Sequence, residues 1–321
     1  MMIPDIRHAA VIGAGAIGAS WCALLTSHGI DVVVADPAPD ATERLAAALH
    51  EVSDDPVIPT VVASASEAAR GADIVFEAGP ERLDVKQALF AELDAATAPE
   101  VVLASSSSGL RPSEIQLDCV HPERVLVAHP FNPPHLMPLV EVVGGRLTSE
   151  SAIDTTMSVL RELGKTPVRL RRELPGHVAN RLQAALWREA YHLVAQGAIS
   201  ASDLDLAISS GPGLRWALLG PLATQHLSGG PGGMAHVLDH LGPPMVDWWD
   251  DLGTPELTPQ LIDTVVTGVT EELGGRESEV ARARNEALAQ LLELKIRYGL
   301  DRSPSDQPSA SDHSAPAGIP S

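Results

Sequence analysis

The stretch VIGAGAIGAS, residues 11–20, narrows the folds open to this chain more than any other. Its glycines, Gly13, Gly15 and Gly18, stand in G-x-G-x-x-G spacing. An apolar run, HAAVIGA, leads into them, and a helical pattern, AIGASWCALLTSHG, leads out and closes on Gly29. Between a strand and a helix this spacing gives a tight turn, a backbone that a ligand can approach, and a helix lying close on the strand. The spacing alone is weak evidence. Its context is stronger, because the next apolar run, DVVVAD, ends on Asp36, where a βαβ dinucleotide site places the acid that holds the adenosine ribose hydroxyls. The helix start at Ala16 and Ile17 then faces a pyrophosphate. Asp36 is followed by Pro37 with no arginine beside it, which favours NAD over NADP, since a carboxylate repels a 2′-phosphate.

The first half of the chain continues to alternate. Helical patterns at 41–52 and 85–96 are interleaved with short apolar runs: VVASAS, ADIVFEA, VVLASS, VLVAHP and LVEVV. A helix from about Ser149 to Leu163 and a last run, TPVRL, follow. Apolar runs with little polar alternation, separated by helices, mark a mainly parallel sheet buried on both faces. After LPGH, 174–177, only helical periodicity remains, with helices at 177–197, 200–211, 234–242, 258–272 and 276–298. The fold class is therefore α/β: a doubly wound, Rossmann-type N-terminal domain over 1–173 and an all-α domain over 174–299. The Ser/Pro/Asp/Ala-rich tail, 300–321, reads as disordered.

Residues 9–27 carry no charge, but three glycines near their start make them a strand, turn and helix rather than a membrane span. The net charge of −20 argues against nucleic acid or an anionic membrane as partner. Two cysteines, Cys22 and Cys119, cannot build a disulfide framework, and MMIPDIRH shows no secretory signal, so a cytoplasmic protein is expected.

One segment is chemically odd. AHPFNPPHLMPLVEVVGG, 128–145, puts His129 at a strand end and Glu141 inside an apolar run, with four prolines between them. A carboxylate in a strand is costly unless paired, and the spacing makes the two partners. Such a pair is either structural or an acid–base device, in which the carboxylate fixes the imidazole tautomer and raises its basicity. SSSSGL, 105–110, offers hydroxyls at another strand end, where ligands bind in such sheets. His236 and His240 lie one helical turn apart without a third ligand nearby and read as a solvated helix face. Trp216, Trp248 and Trp249 read as core packing.

Together VIGAGAIGASW, PERLDVKQALFAELD, SSSSGLRPSEIQ, HPERVLVAHPFNPPHLMPLVEVVGG, HVANRLQAALWREAYHLV and GPGLRWALLGP resemble the L-3-hydroxyacyl-CoA dehydrogenase superfamily. The resemblance spans roughly residues 7–245. It is closer to the branch acting on free hydroxy acids, the L-carnitine dehydrogenase and L-gulonate dehydrogenase/lambda-crystallin group. It implies an NAD-dependent 3-hydroxy-acid dehydrogenase and a homodimer formed through the helical domain. It implies His129 as general base, Glu141 as its orienting partner, Ser108 as a hydrogen-bonding partner of the substrate oxygen, and Asn180 as a polariser of the developing ketone. Ala78, Glu81, Lys86, Ser106 and Asn132 match cofactor-contacting positions, beside Gly13, Gly15, Ala16, Ile17, Gly18 and Asp36.

Two departures stand out. The VANR block normally follows Gly-Phe and here follows Gly176-His177. The helical hairpin that helps the acyl-CoA enzymes bind coenzyme A has no room in the two dozen or so residues between Asp36 and VVASAS. A small free acid is expected over a CoA ester; a catalytically idle, crystallin-like protein is the third reading. Arg181 or Arg215 would meet the carboxylate. Trp187, Tyr191 and Trp216 could surround a quaternary ammonium.

Overall fold

The structure is a computed structural model and describes residues 6–301. By contact density the chain divides into two units, 1–183 and 184–321.

The first unit is built on one eight-stranded sheet: β1 (His8–Ile12), β2 (Asp31–Ala35), β3 (Thr60–Val62), β4 (Ile74–Glu77), β5 (Val102–Ser105), β6 (Val125–Pro130), β7 (Leu139–Gly144) and β8 (Thr166–Leu170). Their order is β3-β2-β1-β4-β5-β6-β7-β8. All neighbours are parallel except β6 and β7, which pair antiparallel. The first six strands thus have the doubly wound 3-2-1-4-5-6 order, whose chain reversal between β1 and β4 opens a ligand crevice at the strands' carboxyl ends.

Successive residues of each strand serve opposite faces. Val11, Val34, Phe76, Ala104, Leu126, Ala128 and Val142 join a core with helices α1 (Ala16–Ser27), α2 (Ala41–His50) and α6 (Glu150–Glu162). Ile12, Val75, Leu103, Val125, Val127 and Val143 join the other, with α3 (Ala65–Ala69), α4 (Leu83–Ala96) and the short α5 (Pro112–Ile115). Burial on both faces explains why the strands read as continuous apolar runs. VVASAS, expected as one strand, is strand only to Val62. Ser64 then caps α3, its side chain accepting from the Glu67 amide.

Helix α7 (Ala179–Ala195) contains the division between the units. The second unit holds α8 (Ala201–Ser209), α9 (Pro212–Leu218), α10 (Pro221–Ser228), α11 (Gly233–Asp251), α12 (Pro259–Leu273) and α13 (Glu277–Arg297). Helices α9 and α10 are not among those expected from the sequence, and α11 was expected to end at Gly242. The helix instead runs through Pro243 and Pro244. Trp216, Trp248 and Trp249, expected in the core, are exposed, the last two by 60% and 61%. Helix α11 buries only Gly233 and Val237 and α9 buries none of its residues, so these helices offer the indoles no buried face. His236 and His240 are exposed with their rings 4.1 Å apart, as a solvated face requires. Among the described residues no helix is long and apolar enough to cross a membrane.

Candidate active site

The three glycines have three different reasons to be glycine. Gly13 has φ +105°, and a Cβ there would lie 2.7 Å from the Ala78 carbonyl oxygen. A Cβ on Gly18 would collide with the Gly13 carbonyl, which is how α1 comes to lie close on β1. A Cβ on Gly15 would meet nothing within 4 Å. Gly15 is also the N-cap of α1, which has no side-chain cap and no acidic residue in its first turn. The amides at the helix start, over Ala16 and Ile17, are left for an anion from outside, and the positive end of the helix dipole favours one.

Asp36 sits where β2 ends. One carboxylate oxygen accepts from the Ala14 amide at 2.8 Å and the other from the Ala38 amide at 3.0 Å. Asp36, Gly13, Gly15 and Ala78 line a cavity of about 730 Å³ with Arg44, Ser64 and Leu89. Absence of a neighbouring arginine in the sequence does not carry over to space. Arg44, on α2, reaches within 3.7 Å of Asp36 and 3.2 Å of Asp40. These residues fit a dinucleotide whose pyrophosphate meets the α1 start and whose ribose meets Asp36.

The Ser105–Ser108 run alternates. Ser105 and Ser107 are buried, while Ser106 is half-buried and Ser108 exposed. Ser105 Oγ donates to Glu77 Oε2 at 2.6 Å, and Ser107 Oγ donates to Glu81 Oε1 at 2.6 Å. Ser106 Oγ accepts from the Trp21 indole at 3.0 Å. Glu81 also accepts from the Gly109 amide, so it ties the β4 loop to the serine loop. Lys86 does not reach into the cleft. It is 1% exposed, and its ammonium donates at 2.7 Å to both oxygens of Glu77, a partner the sequence reading overlooked. Yet Glu77 in ADIVFEA carries the signal that singled out Glu141: a carboxylate inside an apolar strand.

Register brings the odd pair together. His129 and Glu141 stand directly opposite each other in the antiparallel β6–β7 ladder, so their side chains share a face. The His129 Nδ1–H donates to Glu141 Oε2 at 3.0 Å, with both side chains almost wholly buried. The other carboxylate oxygen, Oε1, accepts from the backbone amides of Val178 and Ala179 at 2.9 and 3.0 Å. Burial pushes the Glu141 carboxyl up, but His129 and these two amides outweigh it and hold it below the usual carboxylate range. An ionised Glu141 fixes the proton of His129 on Nδ1, which leaves Nε2 as the basic nitrogen.

Asn180 Nδ2 donates to the Ser108 carbonyl at 3.3 Å, which places Asn180 beside the serine loop. Asn132 is exposed in the proline-rich loop after β6. That loop is pinned by Lys165, whose buried ammonium donates to the Pro134 carbonyl and, at 3.2 Å, to that of Met137. Burial brings the Lys165 pKa down to about 8. Ser20 and His135 Nδ1 make a further tie at 3.1 Å. His177 lies against His129, their ring centroids 5.1 Å apart, and its Nε2–H donates to the Ser107 carbonyl at 3.0 Å. Arg181, exposed, donates to the Pro175 carbonyl.

Residues 8–174 match the NAD binding domain of 3-hydroxyacyl-CoA dehydrogenase, and residues 176–275 match the C-terminal domain of the same family. An L-carnitine dehydrogenase of Nocardiopsis dassonvillei is 48% identical over 284 residues, covering 85% of this chain and 86% of that one. Another, from Streptomyces coelicolor, is 43% identical over 92% of this chain and 96% of its own. Among solved structures, the NAD+-dependent dismutase 5-formyl-3-hydroxy-2-methylpyridine 4-carboxylic acid 5-dehydrogenase superposes with a TM-score of 0.77 at 27% identity, over 91% of this chain and 99% of that one. A 3-hydroxyacyl-CoA dehydrogenase of Archaeoglobus fulgidus does so with a TM-score of 0.61 at 26% identity, over 92% and 100%. With both family domains matched in order along the chain, the chain belongs to the 3-hydroxyacyl-CoA dehydrogenase family and is an NAD-dependent oxidoreductase acting on a CH–OH group.

Proposed function

We propose that this protein oxidises the 3-hydroxyl of a small free L-3-hydroxy acid of the carnitine type to the 3-keto acid. The observation that carries the chemistry is the His129–Glu141 pair, with Glu141 held ionised by two backbone amides. The substrate class rests on the curated relatives named L-carnitine dehydrogenase, which match at 48% and 43% identity over most of both chains. The short connection between Asp36 and β3 supports the same choice over a CoA ester.

A bound NAD would supply the acceptor for the hydride of the carbinol carbon. The chain supplies the proton chemistry. His129 Nε2 accepts the hydroxyl proton, and the imidazolium that results is stabilised by Glu141 through Nδ1–H. Ser108 and Asn180 flank the reacting oxygen: Ser108 Oγ donates to it in the alcohol, and Asn180 Nδ2 donates to it as the ketone develops. Asp36 holds the adenosine ribose, and the α1 start holds the pyrophosphate. Glu81, Ser106 and Asn132 form the remaining cofactor wall, while Lys86 acts from beneath by fixing Glu77 and the loop above it.

The protein is read as cytoplasmic, with both cysteines free. It is read as a homodimer through the second unit, supported by exposed Leu222, Leu227, Trp248, Trp249 and Tyr298.

The test is NADH formation with L-carnitine, L-gulonate, L-3-hydroxybutyrate and L-3-hydroxybutyryl-CoA, each with NAD and NADP. Turnover of L-carnitine with NAD is expected. Turnover of the CoA ester alone overturns the substrate class and leaves the acid–base reading standing.

A further inference from the structure

Among the described residues, His177 is the one non-glycine with a positive φ, +51°. It is 1% exposed. With Nε2–H given to the Ser107 carbonyl, its Nδ1 is an acceptor, and that atom is buried without a hydrogen-bond partner. A left-handed backbone on a ring-bearing residue and a buried orphan acceptor are each destabilising. Two such costs at one residue call for a return, and its neighbours show where it lies. The next two amides, Val178 and Ala179, hold Glu141 Oε1. Three residues on, Asn180 grips the Ser108 carbonyl. The ring itself packs 5.1 Å from that of His129.

We infer that His177 is a positioning residue for the acid–base pair: its Nε2–H bond to the Ser107 carbonyl anchors the turn 177–180, so that the 178 and 179 amides stay on Glu141 and the serine loop stays over His129. The left-handed backbone turns the chain so that the two amides that follow point at the carboxylate. Burial pushes the His177 pKa down, with the Ser107 carbonyl, Glu141 and Glu81 pulling the other way and His129 adding to the fall. The ring is therefore neutral near pH 7 and does not repel the imidazolium that His129 becomes. The inference rests on the His129–Glu141 reading above and adds a residue that acts through that pair.

Three variants separate the ring's bond from its bulk and its backbone. His177→Gln places an amide N–H near the reach of Nε2; His177→Phe keeps the ring without the donor; His177→Asn tolerates the left-handed backbone but is too short for Ser107. Two readouts are used on each full-length protein: hydrogen exchange at the Val178 and Ala179 amides without substrate, and the pH profile of kcat/KM for L-carnitine with NAD. NAD affinity, measured by NADH fluorescence displacement, reports folding. The Phe and Asn variants are expected to exchange both amides about tenfold faster and to lose about tenfold in kcat/KM, the equivalent of one hydrogen bond. Their pH profile departs from that of the unaltered protein, because Glu141 is less well held by the two amides. The Gln variant stays within about threefold of wild type on both readouts. Wild-type exchange and turnover in the Phe variant, or a Gln variant as impaired as Phe, overturns the inference. If the unaltered protein does not oxidise L-carnitine, the substrate reading fails and the exchange rates still decide the role of His177.

Discussion

The two units of the chain differ most in what they do with apolar side chains. Among the described residues, the buried apolar side chains from residue 184 onward are Val237 and Leu261; all the others lie before it. The exposed large apolar residues are distributed the other way, with Leu206, Leu222, Leu227, Trp248, Trp249, Ile296 and Tyr298 among those of the second unit. The sheet unit is covered on both faces by its own helices. The helical unit leaves apolar faces that its own fold does not cover. A chain with 45% hydrophobic residues therefore divides them unevenly, most of the buried ones in one unit and many exposed ones in the other.

The largest effect expected falls inside the sheet unit's site. His129→Ala should keep NAD binding and lose about 10²–10⁴-fold in turnover, as removal of a general base does. Steady-state kinetics with a parallel measurement of NAD affinity checks it, and near-normal turnover would sink the assignment. Next comes the core. Leu126→Ala, at a fully buried β6 position, should cost about 2–5 kcal/mol in denaturant unfolding. A cost under about 1 kcal/mol would mean the sheet unit is no better packed than the helical one.

Lys165 gives a pH signature. Its folded pKa, about 8, lies below the ordinary lysine value, so between these two the unfolded chain binds the extra proton. Stability from this group should rise as pH climbs from about 8 toward ~10.4, by at most ~3 kcal/mol, and Lys165→Met should remove the rise. An identical pH dependence in the two proteins rules it out. Asp36→Ala should weaken NAD about tenfold and let NADP bind comparably, because the carboxylate that repels a 2′-phosphate is gone while Arg44 stays nearby. An unchanged preference in a binding titration places ribose recognition elsewhere. The smallest effect tests the other half of the comparison. Replacing exposed Trp248 with serine should change the chain's own stability by less than about 0.5 kcal/mol while lowering self-association in sedimentation velocity. A loss of several kcal/mol with association intact would show that the indole is packed within the unit after all.

How much of this was legible in the sequence follows from local physics. Strands buried on both faces announce themselves as apolar runs, which made the inner strands plain; the edge strands β3 and β8, partly exposed, showed only as short apolar fragments. The dinucleotide turn was visible because its glycines, its strand and Asp36 lie within about 25 residues of one another. His129 and Glu141 were visible as partners because a charge in an apolar strand needs one. The same argument applied to Glu77 would have found Lys86 buried beneath the cleft. Arg44 was invisible because closeness to Asp36 is made by the helix turning back, not by adjacency in sequence. The Val178 and Ala179 amides were invisible because backbone donors leave no mark on residue type. Helix α3 is a five-residue alanine-rich turn with little periodicity to read. The Pro243-Pro244 pair deletes two amide donors, which ends a helix by local rules. Packing of α10 on α11 is outside their reach.

The antiparallel turn of β6 onto β7 also has a consequence for the order of assembly. His129 and Glu141 are only twelve residues apart, and their contact belongs to a hairpin. A chain emerging from synthesis can close that contact once residue 144 is out, since short loops close with little entropy to overcome. The remaining oxygen of Glu141 stays unanswered until residues 178 and 179 arrive. The His129–Glu141 contact is thus laid down early by a local event, and the carboxylate gains its remaining partners in a later one. Ala179, whose amide completes the set, is also the first residue of α7, a helix longer than any before it in the chain.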